Sequence, residues 1–438
     1  MQTPLRLGIA GLGTVGTGLL DVLKQNSALL SGQSGRDIVV AGVCARTKNT
    51  DRGGHDLSGY RWFNDASQLA AWDGIDVFVE LIGGDSGPAL DSVEAALRNG
   101  KHVVTANKAM IAHHGTRLAK LAEANGVSLQ FEAAIAGGIP IVKVVRESLA
   151  GNNITRVYGI MNGTCNYILT EMDKERRDFA DVLATAQELG YAETDPSFDV
   201  GGIDAAHKIA CLTSLAFGVE TSFESIFIEG IEDITLSDIQ NAAELGYKIK
   251  LMAVAVQTDE GIEQRVHPTL VPKGSPIAEV DGVFNAVGLS GDFVHDILLH
   301  GKGAGGHPTA SSVISDIVDI ARGSKMPVYG LPATQLKPYT RAPMRAHEGG
   351  YYVAMDLYDK PGTVAFIAQT FSDENISIES ILQRSPATNT TEETSDGIKP
   401  FIMISHDTME SRMRAALTKI SETDHCAGQP KMIRIERF

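Results

Sequence analysis

Cysteine is scarce in this chain. Cys44, Cys165, Cys211 and Cys426 lie far apart, with no CxxC pair and no His/Cys cluster of metal-ligand spacing, so neither a zinc site nor a disulfide framework is expected. Long apolar runs are missing too. No segment approaches the roughly 20 apolar residues of a membrane helix, and no basic region followed by a long apolar stretch opens the sequence. The expectation is a cytoplasmic protein with no membrane partner. Positive charge is also in deficit, with 38 Lys and Arg against 54 Asp and Glu and a formal net charge of −16. That background repels a phosphate backbone and excludes nucleic acid as a partner. An anionic cofactor or a carboxylate substrate then has to be met by locally placed cations and helix N-termini.

What remains is the composition of a globular α/β protein, 43% hydrophobic with 45 glycines. At 438 residues the chain exceeds what one core organises. Buried strand runs at 5–10, 38–44, 77–82 and 102–105 alternate with helical stretches at 15–25, 65–71 and 88–99, and 127–132 reads as one more strand. That alternation predicts right-handed βαβ crossovers and a mostly parallel sheet. From about Ala136 longer helices are expected at 139–149, 166–174, 178–189 and 204–217, followed by strands near 251–257 and 283–287, an α+β pattern. Pro327, Pro332, Pro338 and Pro343 mark a linker. Beyond it the order strand, helix, strand, polar loop (Thr388–Ser395), strand, helix, strand is the ferredoxin-like βαββαβ arrangement. The expected domains are 1–135, 136–325, a linker at 326–348, and 349–438.

Gly11-Leu12-Gly13-Thr14-Val15-Gly16 matches GxGxxG. It follows a strand and opens a helix, so the first glycine permits the turn, the second lets a pyrophosphate approach, and the third allows close helix packing. Where the second strand would normally end in a ribose-binding acid, this chain has Ala45-Arg46-Thr47-Lys48, which favours the 2′-phosphate of NADP over NAD. Lys108 stands just after a strand, where open α/β sheets place their ligands. Asp204 and Lys208 share a helix face. On spacing alone they form an exposed ion pair of little consequence, but the apolar run from Ile209 to Phe217 argues for burial and hence for a task. His207 reads as a packing or surface histidine. The Gly301–Gly306 loop is either phosphate-facing or a flexible turn.

Together these motifs resemble homoserine dehydrogenase over essentially the whole chain. The resemblance rests on Gly11–Gly16, Ala106-Asn107-Lys108, Glu132-Ala133 with Gly137-Gly138-Ile139-Pro140, and Asn162–Tyr167. It extends to Glu193–Pro196, Asp204–Lys208, and Gly303-Ala304-Gly305 with Pro308-Thr309-Ala310. It implies a Rossmann domain, an α+β catalytic and dimerisation domain and a C-terminal ACT domain, with reversible NAD(P)H-dependent reduction of L-aspartate 4-semialdehyde to L-homoserine. The implied catalytic residues are Lys108, Lys208 and Asp204, and the implied substrate contacts are Glu193, Asp199 and Lys208. The implied cofactor contacts are Gly11, Gly13, Thr14, Val15, Gly16, Arg46, Lys48, Lys108 and Gly305, with NADP or NAD as cofactor. A monovalent cation such as sodium is implied at Glu132, Ile135, Gly137 and Ile139. Asp359-Lys360-Pro361-Gly362 falls where an effector loop would lie, with threonine the implied effector. The form expected is monofunctional and a homodimer or higher homo-oligomer. The residues alone leave open a dehydrogenase of another small amino acid, or a non-catalytic nucleotide and amino-acid sensor.

Overall fold

The computed structural model describes residues 3–48, 50–343, 347–383 and 397–438; the polar loop Thr388–Ser395 lies outside them. The N-terminal third builds a parallel sheet of six strands among the described residues. Across the sheet they run Arg61–Phe63, Ile38–Cys44, Leu5–Ala10, Val77–Glu80, His102–Thr105 and Leu129–Gln130. Leu7, Ile9 and Ala10 are fully buried, as expected for a strand covered on both faces. The chain winds outward to one side of Leu5–Ala10, then returns and winds to the other. A crevice therefore opens at the carboxyl ends of the central strands, where this topology takes its ligands.

A second, mixed sheet runs His295–Lys302, Phe284–Gly291, Ile154–Ile160, Tyr247–Thr258, Gly261–Pro272, Lys431–Ile435, Glu348–Tyr358, Ile398–Ser405 and Ile378–Gln383. The last four of these belong to the βαββαβ unit, whose helices are Thr363–Asp373 and Glu410–Ser421. Lys431–Ile435 also pairs in parallel with Gly261–Pro272, through Thr269 with Arg434 and Leu270 with Ile435. The C-terminal unit thereby extends the catalytic sheet instead of hanging from a tether.

Several local expectations need correction. The strand read over 127–132 shrinks to Leu129–Gln130, because Glu132 already opens the short helix Glu132–Ala136. The helix read over 139–149 starts after Pro140 as Ile141–Lys143 and continues as the π-helical turn Val144–Ser148. The strand Gly261–Pro272 was not foreseen; it is buried on both faces yet carries Glu263, Gln264, Arg265 and His267, which breaks any apolar pattern. The proline-bearing segment at 326–343 is no free linker. Val328, Tyr329 and Ala333 are buried, and backbone bridges tie Lys337 to Val219 and Arg341 to Ile262. Helix Gly306–Ala321 falls in the interval read as the second domain, yet its Val313 and Ile317 share a core with Leu7, Ile9 and Leu19 of the first. Among the described residues no helix is long and apolar enough to cross a membrane.

Candidate active site

The crevice at the end of Leu5–Ala10 is a cavity of about 1140 Å³ lined by Gly11, Gly13, Thr14, Arg46, Arg52 and Gly83 among others. Gly11 has φ +102°, and a Cβ there would stand 2.3 Å from the Leu81 carbonyl oxygen, so only glycine can make this turn. A Cβ on Gly16 would stand 2.2 Å from the Gly11 carbonyl oxygen, whereas one on Gly13 meets nothing within 4 Å. The second glycine thus leaves open space at the N-terminus of helix Thr14–Gln25, which has no side-chain cap. Free backbone N–H groups, a helix dipole and room for a phosphate fit a dinucleotide. The loop before helix Gly306–Ala321 closes over the same point, since a Cβ on Gly306 would lie 2.8 Å from the Thr14 carbonyl oxygen. Gly305 is therefore brought beside Gly13–Thr14.

Arg46 is exposed on the cavity wall. Lys48 is not among the residues lining it; its Nζ lies 6.0 Å above the Trp62 ring. The sequence reading missed Arg52. It is buried, lines the cavity, and donates to the carbonyls of Lys48 (3.2 Å), Thr50 (2.9 Å) and Thr47, so it shapes the loop that carries Arg46. Backbone carbonyls as partners leave no signal in the side-chain sequence.

The loop at Leu81–Gly84, which bounds the crevice, leads to the chemistry. Glu80, fully buried, accepts from the N–H groups of Ile82 (2.7 Å) and Gly83 (2.9 Å) and fixes the loop bounding the cavity. Asn107 caps helix Lys108–Ala124 by accepting from Met110 N–H at 3.1 Å and donates to the Gly84 carbonyl at 2.6 Å. Lys108 is the first residue of that helix. Its Nζ reaches Asp204 Oδ1 at 3.2 Å, while Lys208 Nζ holds Asp204 Oδ2 at 2.7 Å and donates to the Met161 carbonyl at 2.6 Å. One carboxylate thus lies between two ammonium groups.

Asp204 and Lys208 are 6% and 7% exposed, so the i,i+4 pair is no surface ornament. Burial alone would raise the Asp204 pKa, but Lys208 and Lys108 hold it well below the ordinary carboxylate range. Asn162, the cap of helix Gly163–Glu175, donates to Asp204 Oδ2 at 2.9 Å and Asp199 Oδ1 at 2.8 Å. Burial, then the neighbouring Asp204, raises the Asp199 pKa. Sequence reasoning quoted Asn162 without giving it a role; an Asn opening a helical run was the available signal. His207 is a packing residue, stacked on Phe223 at 4.5 Å and held neutral with its pKa lowered to about 4 by burial, His113 and Lys108.

Two groups of expected residues do not converge here. Glu193 is exposed, and among the described residues no hydrogen bond or ion pair links its carboxylate to the Asp204 cluster. Glu132 is buried, but its carboxylate accepts from Val142 N–H (2.8 Å) and Lys143 N–H (2.9 Å), capping the helix that follows. Gly137 gives its carbonyl to Ser312 (2.5 Å) and Ile139 gives its own to Ile141 N–H (2.8 Å). Among the described residues no group of three His, Cys, Asp or Glu could hold a metal.

A parallel sheet with an open glycine-lined crevice, leading to a carboxylate that organises two lysines, defines an NAD(P)-dependent oxidoreductase acting on a small molecule. Residues 11–132 match the family model described as homoserine dehydrogenase, NAD binding domain, and residues 140–318 that described as homoserine dehydrogenase. Homoserine dehydrogenases of Pseudomonas aeruginosa and Neisseria gonorrhoeae are 43% and 42% identical, with 99% of each chain covered. The crystal structure of a homoserine dehydrogenase from Thiobacillus denitrificans superposes with a TM-score of 0.92 at 41% identity, covering 99% of both chains. A hyperthermophilic archaeal homoserine dehydrogenase in complex with NADPH matches at a TM-score of 0.63 and 28% identity over 72% of this chain and 97% of that one. The chain belongs to the homoserine dehydrogenase family, whose reaction interconverts L-homoserine and L-aspartate 4-semialdehyde.

Proposed function

We propose that Lys108 and Lys208 are the proton-transfer groups of this reaction and that Asp204 sets their positions. The observation that carries this reading is the single buried carboxylate in contact with both ammonium groups. Lys208 has three N–H donors and commits two, to Asp204 and to the Met161 carbonyl, which leaves one for a substrate oxygen. Bound NAD(P) supplies the hydride acceptor for the alcohol carbon, or the donor in reverse. In reduction a lysine N–H protonates the forming alkoxide, and in oxidation the same group takes that proton back. Asp199, fixed by Asn162, and Glu193, on the adjoining loop, are the acids assigned to the substrate ammonium.

Arg46 on the cavity wall supports NADP as the preferred cofactor, with Arg52 holding its loop. A sodium ion near Glu132–Ile139 would draw on backbone carbonyls around Ile135, Gly137 and Ile139, since the Glu132 carboxylate is occupied; a carbonyl oxygen keeps a second lone pair after one hydrogen bond. We assign the C-terminal unit to an ACT module that senses threonine through the Asp359–Gly362 turn. The edge strand His295–Lys302, with Ile297, Leu298 and Leu299 half-buried, supports pairing with a second copy, and a cytoplasmic location fits the small-molecule chemistry.

The test is homoserine-dependent reduction of NAD⁺ and NADP⁺, with Lys108→Ala and Lys208→Ala beside the wild type. Each substitution is expected to lower kcat by about 10³-fold or more while folding and cofactor binding survive. Near-wild-type rates in both would overturn the assignment.

A further inference from the structure

Where the C-terminal unit joins the catalytic sheet lies a second cavity, of about 530 Å³. Phe227, Ile228 and Leu417 give it apolar walls, and Glu229 and Arg414 give it one charge of each sign. Both charged groups are held from behind, Glu229 by Arg434 at 3.3 Å and Arg414 by Glu410 at 2.7 Å. Their side chains remain 45% and 55% exposed, so each keeps acceptor or donor positions free. The volume is that of a small-molecule pocket. A wall with one anion, one cation and an apolar floor is complementary to a small zwitterion. We propose that this cavity binds a free amino acid with an apolar side chain, its carboxylate on Arg414 and its ammonium on Glu229. The site shares no residue with the Asp204 cluster or with the Asp359–Gly362 turn.

A short physical route leads from this cavity to the chemistry. Phe227 and Ile228 pair with Arg265 and Val266, and Glu229 N–H donates to the Val266 carbonyl at 2.8 Å. Two residues on, Ile231 N–H donates to the Val200 carbonyl at 2.9 Å. Gly230 is packed so closely there that a Cβ would stand 2.4 Å from the same carbonyl oxygen. Val200 ends the short helix that carries Asp199. Gly202, whose added Cβ would stand 3.3 Å from Ile228, caps the helix that carries Asp204 and Lys208. A ligand that draws Glu229 toward the cavity moves the segment backing both carboxylates, so its effect falls on homoserine binding.

The test is calorimetric titration of the full-length protein with L-valine, L-leucine, L-isoleucine and L-methionine, repeated on Glu229→Gln, Arg414→Gln and Lys360→Ala. At least one amino acid is expected to bind, to bind about tenfold more weakly after either of the first two substitutions, and to be unaffected by the third. The bound amino acid is expected to change KM for homoserine by about twofold or more. Glu229→Asp and Arg414→Lys, which keep the charges, are expected to bind within about threefold of wild type, separating lost charge from lost folding. No binding by any of the four, or binding that survives both Gln substitutions, overturns the proposal. So does binding lost only in Lys360→Ala, which assigns the ligand to the turn; binding without a change in KM overturns the route.

Discussion

Two buried charge clusters in this molecule look alike in composition and differ in what they leave unfinished. In one, Asp204 lies between Lys108 and Lys208; in the other, Arg434 is bound by Glu410 through two bonds at 2.8 and 2.9 Å and by Glu229 at 3.3 Å. Glu410 and Arg434 are 2% and 1% exposed, and the guanidinium holds the Glu410 pKa below its ordinary value although burial opposes this. Each nitrogen of Arg434 has an acceptor and the side chain is 1% exposed, so it ties the C-terminal unit to the rest of the mixed sheet and offers nothing to a substrate. In the Asp204 cluster Lys208 keeps a free N–H, and the Lys108 side chain is 30% exposed on the helix that follows the parallel strand His102–Thr105. Spare hydrogen-bonding capacity on lysines held by one carboxylate, and not buried charge in itself, is what marks the reactive site.

The comparison is sharpened first by kinetics. The two lysine substitutions should remove turnover, and Lys108→Ala, whose side chain is 30% exposed, should barely move the melting temperature. Arg434→Met should do the reverse, because removing one partner of a buried pair costs about 3–5 kcal/mol; thermal unfolding and kcat on the same preparation check this.

A smaller effect is expected at the cofactor. Arg46→Ala should raise KM for NADPH by about tenfold and leave that for NADH nearly unchanged. Equal effects on both cofactors would remove Arg46 from the 2′-phosphate.

A third buried carboxylate gives the smallest change. The Asp316 pKa is raised to about 7, by burial and then by Glu132. Being raised above its unfolded value, it favours the fold at low pH, and that contribution is lost as pH rises from about 4 through 7. Asp316→Asn, which still accepts from Glu132 N–H, should flatten the fall of melting temperature over that window and raise it by a few degrees above pH 7.

How much of this was legible in the sequence depends on how local each feature is. Gly11–Gly16 is contiguous, and its strand, turn and helix can be read from six residues. The Asp204 cluster draws on Lys108, Asn162, Asp199 and Lys208 from four elements. Of its contacts only the i,i+4 pair shows in the sequence, where it is indistinguishable from a surface ion pair until the apolar remainder of the helix is weighed. The Arg434 joint was invisible, since Glu410 and Glu229 reach it from distant segments and the polar residues of Gly261–Pro272 disguise a buried strand. The bonds from the Glu132 carboxylate to Val142 and Lys143 left no signal in the sequence, because capping by a carboxylate depends on where the next helix begins.

The most direct measurement is a crossed pair, Asp204→Asn and Glu410→Gln, assayed for homoserine oxidation and for thermal unfolding with no amino acid added. The account predicts that Asp204→Asn loses kcat/KM by about 10²-fold or more, and that Glu410→Gln keeps kcat/KM and melts earlier. Equal losses of activity in both at unchanged melting temperatures would contradict it.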